Sequence, residues 1–206
     1  VERTFSEFSL SAFGAAGGAP GAGAFAPASF KTSHPGNNVA SCQDCHMRDL
    51  RGVACNKTSG IFRHDNSVEH PKSGLPDHSM AGGNPFVLKV LASTVAGSAN
   101  YDAVNAGLLN GKAATLTLDL LQGSRVDPVL ALEGADKAVA MLQAAASIQG
   151  LTYSAATGQA TFRVVNHTGH KLLSGFPEGR RAFVNVRAWK GTSLVAEINP
   201  YDATVG

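Results

Sequence analysis

The chain has 206 residues, 44% of them apolar and 16% charged, so it can bury a core and lacks the composition of a disordered protein. Its formal net charge is +2 and its Lys and Arg residues do not cluster, so nucleic acid is not expected as a partner. No uninterrupted apolar run approaches the roughly twenty residues that cross a bilayer. No transmembrane segment is therefore expected.

The first thirty residues are rich in Gly, Ala, Pro and Ser and show neither a helical nor a strand period. A linker of this composition would be flexible, but linkers rarely carry aromatic residues in such number. We therefore predict that residues 1–30 form an extended arm whose aromatic side chains pack on an apolar surface, with a partly ordered tail as the alternative. The aromatic residues are Phe5, Phe8, Phe13, Phe25 and Phe30.

A complete Cys-x-x-Cys-His motif at Cys42, Cys45 and His46 indicates covalent attachment of haem c. Two thiols three positions apart on one helical turn can reach both vinyl groups of a porphyrin, and the next residue then lies under the iron as proximal ligand. A zinc half-site would need a second ligand pair, and a thioredoxin-like redox pair would need a βαβ setting. Neither is present, since the only other cysteine is the isolated Cys55, which we expect to be a small buried residue.

The haem assignment also sets expectations for the compartment and for the surrounding chain. Because bacteria complete this attachment outside the cytoplasm, a periplasmic or extracellular protein is predicted. The porphyrin can supply apolar surface to a loop-rich segment, and residues 31–150 are predicted as a haem-binding region of loops with a few helices. The arm would then pack on a haem edge or on a neighbouring subunit.

Helices are predicted at two places in this region. Asn84 and Pro85 form an N-cap and first-turn signal for a helix over residues 85–95. A second helix is predicted over residues 134–148, with Gly150 as its C-terminal cap. The intervening stretch 101–121 is left open, since its alternating run Leu116, Leu118, Leu120 could be a strand.

Residues 151–206 show a period of two and predict an antiparallel β region. One hairpin is expected over residues 151–164 with its turn at 156–158, and another over 182–198 with its turn at 190–192. These four strands suggest a small sandwich-like arrangement that further chain or another subunit completes. The fold class predicted for the whole chain is α+β.

The connection between the two hairpins, residues 166–181, is rich in His, Gly and Arg. Loops on a rigid scaffold often present ligands, and imidazole is a good axial ligand for haem iron. We expect His170 or His167 to bind iron, with His170 preferred, and Arg180 or Arg181 to pair with a haem propionate. The alternative is that these are polar surface residues, with the arginines pairing with Glu178.

Several blocks together resemble the secreted multihaem c-type cytochromes of anaerobic and metal-reducing bacteria. The resemblance implies closely packed, low-spin bis-histidine haems, with His34 ligating a neighbouring haem and with His78 and His170 in blocks that supply distal ligands. Those proteins carry several haem motifs and this chain carries one, and Leu173 stands where proline is expected. The blocks are 31–34, 41–47, 77–84, 168–172 and 175–181.

The presence of one haem motif, where multihaem cytochromes carry several, allows two interpretations. The chain is a fragment or single-haem subunit of a larger assembly, or its spare histidines ligate haems held by neighbouring copies. For the distal ligand of the haem on His46 we expect His78 first and His170 second, with Met80 less favoured.

The predicted function is electron transfer, in a homo- or hetero-oligomer with redox partner proteins or other haem subunits. A catalytic haem module of a reductase or peroxidase, and a structural subunit of a cytochrome assembly, are the alternatives.

Overall fold

The structure is a computed structural model that describes residues 3–32, 34–50, 53–55, 67–69, 75–76, 78–109, 126–172, 174 and 181–202. Within these ranges helices and two-stranded antiparallel sheets alternate, so the predicted α+β class is confirmed. The helices are α1 (Thr4–Leu10), α2 (Cys42–His46), α3 (Pro85–Ser93), α4 (Ala103–Leu109) and α5 (Pro128–Ala145).

Each described strand pairs with one other strand in the described part of the chain. Short sheets join β1 (Ala19–Pro20) to β2 (Asn38–Val39), β3 (Asp49–Leu50) to β6 (Leu75–Pro76), and β4 (Val53–Cys55) to β5 (Ser67–Glu69). Two longer hairpins are formed by β7 (Ala146–Ser154) with β8 (Gln159–Asn166), and by β9 (Val186–Lys190) with β10 (Ser193–Ile198). Both predicted hairpins are thereby confirmed, while their packing into a sandwich stays a prediction.

The amino-terminal segment contains regular structure where an extended arm was expected. It forms α1 and two 3₁₀ turns, at Ala12–Gly14 and Gly23–Phe25. Phe25 and Phe30 are buried with Val39, and the two rings meet edge to face with centroids 5.2 Å apart. Two of the five Phe side chains are therefore core residues of this chain, whereas Phe5 is 76% exposed.

The prediction of α3 is confirmed, including its cap: the Asn84 side chain accepts hydrogen bonds from the backbone N–H groups of Phe86 and Val87. The second predicted helix is present, but both of its ends differ. It begins at Pro128, because Asp127 caps it from outside the predicted range. It ends at Ala145, and Gly150 lies instead inside β7 with a positive φ, where the strand register shifts. The predicted cap at Gly150 is therefore wrong.

Helices α3 and α5 pack closely, and small residues at the contact permit this. A Cβ atom on Gly134 would lie 3.0 Å from Leu88 Cδ1, and Ala135 and Ala138 of the same helix are buried. In the described ranges no helix is both long and apolar enough to cross a membrane.

Some predictions fall outside the described residues. These are the suggested strand at Leu116, Leu118 and Leu120, and the propionate partner Arg180. The side chain of Cys55 lies outside them too.

Candidate haem site

The Cys-x-x-Cys-His motif forms the short helix α2, and its start is fixed by a reciprocal capping box. The Ser41 hydroxyl accepts a hydrogen bond from the Asp44 backbone N–H, and Asp44 Oδ2 accepts one from the Ser41 backbone N–H at 2.8 Å. The same carboxylate accepts the Ala40 N–H at 2.9 Å. Because the turn is held in this way, Cys42, Cys45 and His46 share one wall of a cavity.

This cavity has a volume of about 280 Å³ and lies among α1, α2, α5 and the loop after β8. Apolar side chains make up much of its lining, and it adjoins the core of Phe25, Phe30 and Val39. An apolar cavity with a few convergent polar groups is typical of a cofactor site. Its apolar lining includes Phe8, Phe25, Val39, Met141, Leu142 and Leu172.

His46 and His170 both line the cavity, and their rings are nearly parallel. The ring centroids are 6.4 Å apart and the planes differ by 9°. Two metal–imidazole bonds of about 2.0–2.1 Å put the bound nitrogens about 4 Å apart across one ion. Half a ring beyond each nitrogen gives a centroid separation close to the observed one when both Nε2 atoms point towards the same ion, so the separation is compatible with two histidines that share one metal.

The remaining ring nitrogen of each histidine has a backbone partner. His46 Nδ1 lies 2.8 Å from the Ala81 carbonyl oxygen, and His170 Nδ1 lies 2.9 Å from the Lys171 carbonyl oxygen. Since a carbonyl can only accept, each Nδ1 carries a proton, and in the neutral imidazole Nε2 is then the atom that holds the lone pair. Metal-binding histidines usually have this arrangement, which fixes both tautomer and ring orientation.

The loop that carries His170 is itself held by hydrogen bonds. The His170 carbonyl accepts hydrogen bonds from the Asn166 amide at 2.7 Å and from the Thr168 hydroxyl at 2.6 Å. Glu7 of α1 accepts the backbone N–H of Lys171 at 3.0 Å and forms an ion pair with its ammonium group. The Lys171 backbone N–H holds the pKa of Glu7 below its ordinary value.

His167 has a different environment from His170, although both lie on the same loop. It is buried, and its Nε2 lies 2.8 Å from the Ser147 hydroxyl oxygen. Gly23 approaches its ring so closely that a Cβ atom there would lie 2.7 Å from Nε2. These contacts belong to a packed core histidine.

Comparison of the chain with family models, curated proteins and solved structures found no match.

The other predicted ligands are not among the described residues that line the cavity. His78 and Met80 are exposed, and neither is among the described residues that line the cavity. His34 is also absent from that lining, and its Nε2 lies 3.4 Å from Asp44 Oδ2. Arg181 lies ahead of β9 in the chain and is exposed. Of the candidate distal ligands, His170 is the one that faces His46.

Burial affects one of the two motif thiols. Desolvation within the cavity wall raises the pKa of Cys45 to about 12, so the thiol is neutral at physiological pH, as its apolar surroundings require.

Sequence reasoning missed Glu7, which holds the loop after β8 from α1. Its distance in sequence from that loop leaves no local pattern that would have linked the two. Phe8 of the same helix lines the cavity, and it is one of the aromatic residues that were expected to pack on an apolar surface.

Proposed function

We propose that this chain is a c-type cytochrome that transfers electrons through one covalently bound haem c. Cys42 and Cys45 would form the thioether bonds, and His46 and His170 would be the axial ligands. The observation that carries the proposal is the parallel His46–His170 pair across an apolar cavity, beside both motif thiols. A haem bound there would supply a one-electron iron couple.

The chain's own residues favour a carrier over an enzyme. Each imidazole is oriented by a hydrogen bond from its Nδ1 to a backbone carbonyl, so Nε2 would be the atom that binds a metal. Two such ligands would occupy both axial positions and leave none for a substrate. A reductase or peroxidase would instead need one of them to be displaced.

The resemblance to secreted multihaem cytochromes extends the proposal to the assembly. With one motif in 206 residues, the chain would work beside redox partner proteins or other haem subunits, in the periplasm or outside the cell. His34 and His78 would then be available for haems held elsewhere, since neither lines the cavity beside His46.

The attachment is tested by the intact mass of the chain, expressed with a bacterial haem-attachment system. We expect the mass of one haem on the unmodified chain and on Cys55→Ser, and no added mass on the double variant Cys42→Ser/Cys45→Ser. Cys55→Ser is the matched control, because it removes a thiol outside the motif. An unmodified chain without haem would contradict the proposal.

A visible spectrum distinguishes the carrier from the enzyme. A low-spin ferric spectrum is expected for two bound imidazoles, and it should change only at cyanide concentrations far above those that saturate a haem with an open axial position. A high-spin spectrum that shifts on cyanide addition would instead favour the catalytic module.

A further inference from the structure

One face of the amino-terminal helix lies against the loop that carries His170. Thr4, Glu7 and Phe8 occupy positions i, i+3 and i+4 of α1, which share one side of a helix. The Thr4 hydroxyl contacts the Ser174 hydroxyl, and Glu7 binds Lys171. Helix α1 therefore meets the loop on both sides of Leu172 and beside the cavity.

The rings of Phe8 and Phe13 lie close to the backbone of Gly169. A Cβ atom on Gly169 would lie 2.7 Å from Phe8 Cδ2 and 3.1 Å from Phe13 Cδ2, so only glycine allows the present approach. The residue before His170 is thus packed on the amino-terminal segment. A movement of α1 would be transmitted directly to the loop.

Glu7 connects this helix to the imidazole through a single residue, Lys171. Its Oε2 accepts the Lys171 backbone N–H at 3.0 Å, and its Oε1 lies 3.1 Å from the Lys171 ammonium. The Lys171 carbonyl oxygen in turn lies 2.9 Å from His170 Nδ1. One carboxylate therefore fixes the residue whose carbonyl orients the His170 ring.

We propose that Glu7 is a positioning residue for the axial ligand His170, and that α1 holds the distal side of the haem site closed. This inference rests on the proposed function, since it assumes that His170 binds the iron. Glu7 would touch neither haem nor iron. Its effect would be to limit the freedom of the loop and so to slow the departure of His170 from the metal.

The test measures how readily an added ligand displaces His170 in the haem-loaded, full-length chain. Cyanide, at concentrations high enough to displace a bound imidazole, is the probe, and its binding rate and affinity are followed by the visible spectrum. We expect Glu7→Ala to raise the apparent cyanide affinity roughly tenfold, as for loss of other outer-shell partners of metal ligands. Glu7→Gln should have a smaller effect, because its amide oxygen can still accept the Lys171 N–H.

Phe5→Ala is the matched control, since Phe5 lies on the same helix with its side chain 76% exposed. It should leave cyanide binding unchanged. Lys171→Met removes the ion pair and keeps the backbone contact, so it should resemble Glu7→Gln more than Glu7→Ala. A merely structural role would alter the urea midpoint without altering cyanide binding.

The outcomes separate this inference from the proposed function. If the haem is attached, the spectrum is low-spin, and both Glu7 variants bind cyanide like the unmodified chain, the positioning role is wrong and the cytochrome proposal stands. If no haem is attached, the proposed function itself fails. Should Glu7→Ala not fold, Glu7→Gln carries the test alone, and cyanide binding equal to that of Phe5→Ala overturns the inference.

Discussion

At the scale of single residues, the contact between Gly23 and His167 leaves no room for a side chain at position 23. Gly23 has a positive φ, and a Cβ there would meet the His167 ring at 2.7 Å. The ring is buried, and within the described part its Nδ1 has no hydrogen-bond partner. The amino-terminal segment is thereby packed directly on the start of the loop that carries His170.

Substitution of Gly23 by Ala should therefore destabilise the chain for two reasons. The left-handed backbone conformation costs an L-residue about 1–2 kcal/mol, and overpacking against the ring adds about 1–3 kcal/mol. Gly17→Ala is the matched control, because Gly17 has a positive φ with nothing within 4 Å of the added Cβ. Urea unfolding followed by circular dichroism should show a clearly larger loss for Gly23→Ala, and equal losses would contradict the packing argument.

The sequence allowed the proximal half of the site to be predicted, but not the distal half. Cys42, Cys45 and His46 form a local motif whose spacing predicts haem attachment. The choice between His78 and His170 depends on which loop folds back over α2, and chain spacing favoured His78. The facing of His46 and His170 depends on contacts such as Glu7 with Lys171, which are 164 residues apart in sequence.

At the scale of elements, local chemistry explains both the successes and the errors. The hairpins were predictable because a period of two is a strong signal between turn residues. The helix predicted from residue 134 begins at Pro128 in the structure, because Asp127 and Pro128 form an N-cap and first-turn pair. Gly150 fits the sequence pattern of a helix C-terminal cap, but in the structure its positive φ lies at a register shift within β7.

The second hairpin should show a pH dependence that comes from one ion pair. Arg187 Nε donates to Glu197 Oε1 at 2.7 Å, and this hydrogen bond holds the pKa of Glu197 below its ordinary value. A lowered pKa contributes stability above the ordinary carboxyl range, and that contribution is lost as the pH falls through the folded-state value. Because the Arg187 side chain is about half exposed, the effect should be small and weakened by salt.

Glu197→Gln tests this contribution without changing the shape of the side chain. The urea midpoint of the variant should lie below that of the unmodified chain at neutral pH, and the difference should shrink in acid. Glu133→Gln on the exposed side of α5 is the control, and its difference should stay near zero. A Glu197 difference that is constant with pH would show that the carboxylate charge is not what stabilises the hairpin.

At the scale of the whole molecule, the amino-terminal segment is part of the domain that surrounds the candidate site. Phe25 and Phe30 belong to the core, and Phe8 lines the cavity. Glu7 binds Lys171 in the loop that carries His170. Association with other haem subunits stays a prediction, as does the use of His34 and His78 for haems on other chains. The apolar faces of the two hairpins, including Tyr153 and Trp189, are exposed in this single chain.

The identity of the distal ligand is the central claim, and the visible spectrum of two histidine variants tests it most directly. His170→Ala and His78→Ala are each prepared with the haem motif unchanged, and intact mass first establishes that one haem is attached. We predict that His170→Ala converts the low-spin ferric spectrum to a high-spin one that responds to cyanide, while His78→Ala keeps the spectrum of the unmodified chain. A low-spin spectrum in His170→Ala together with a high-spin one in His78→Ala would contradict the account.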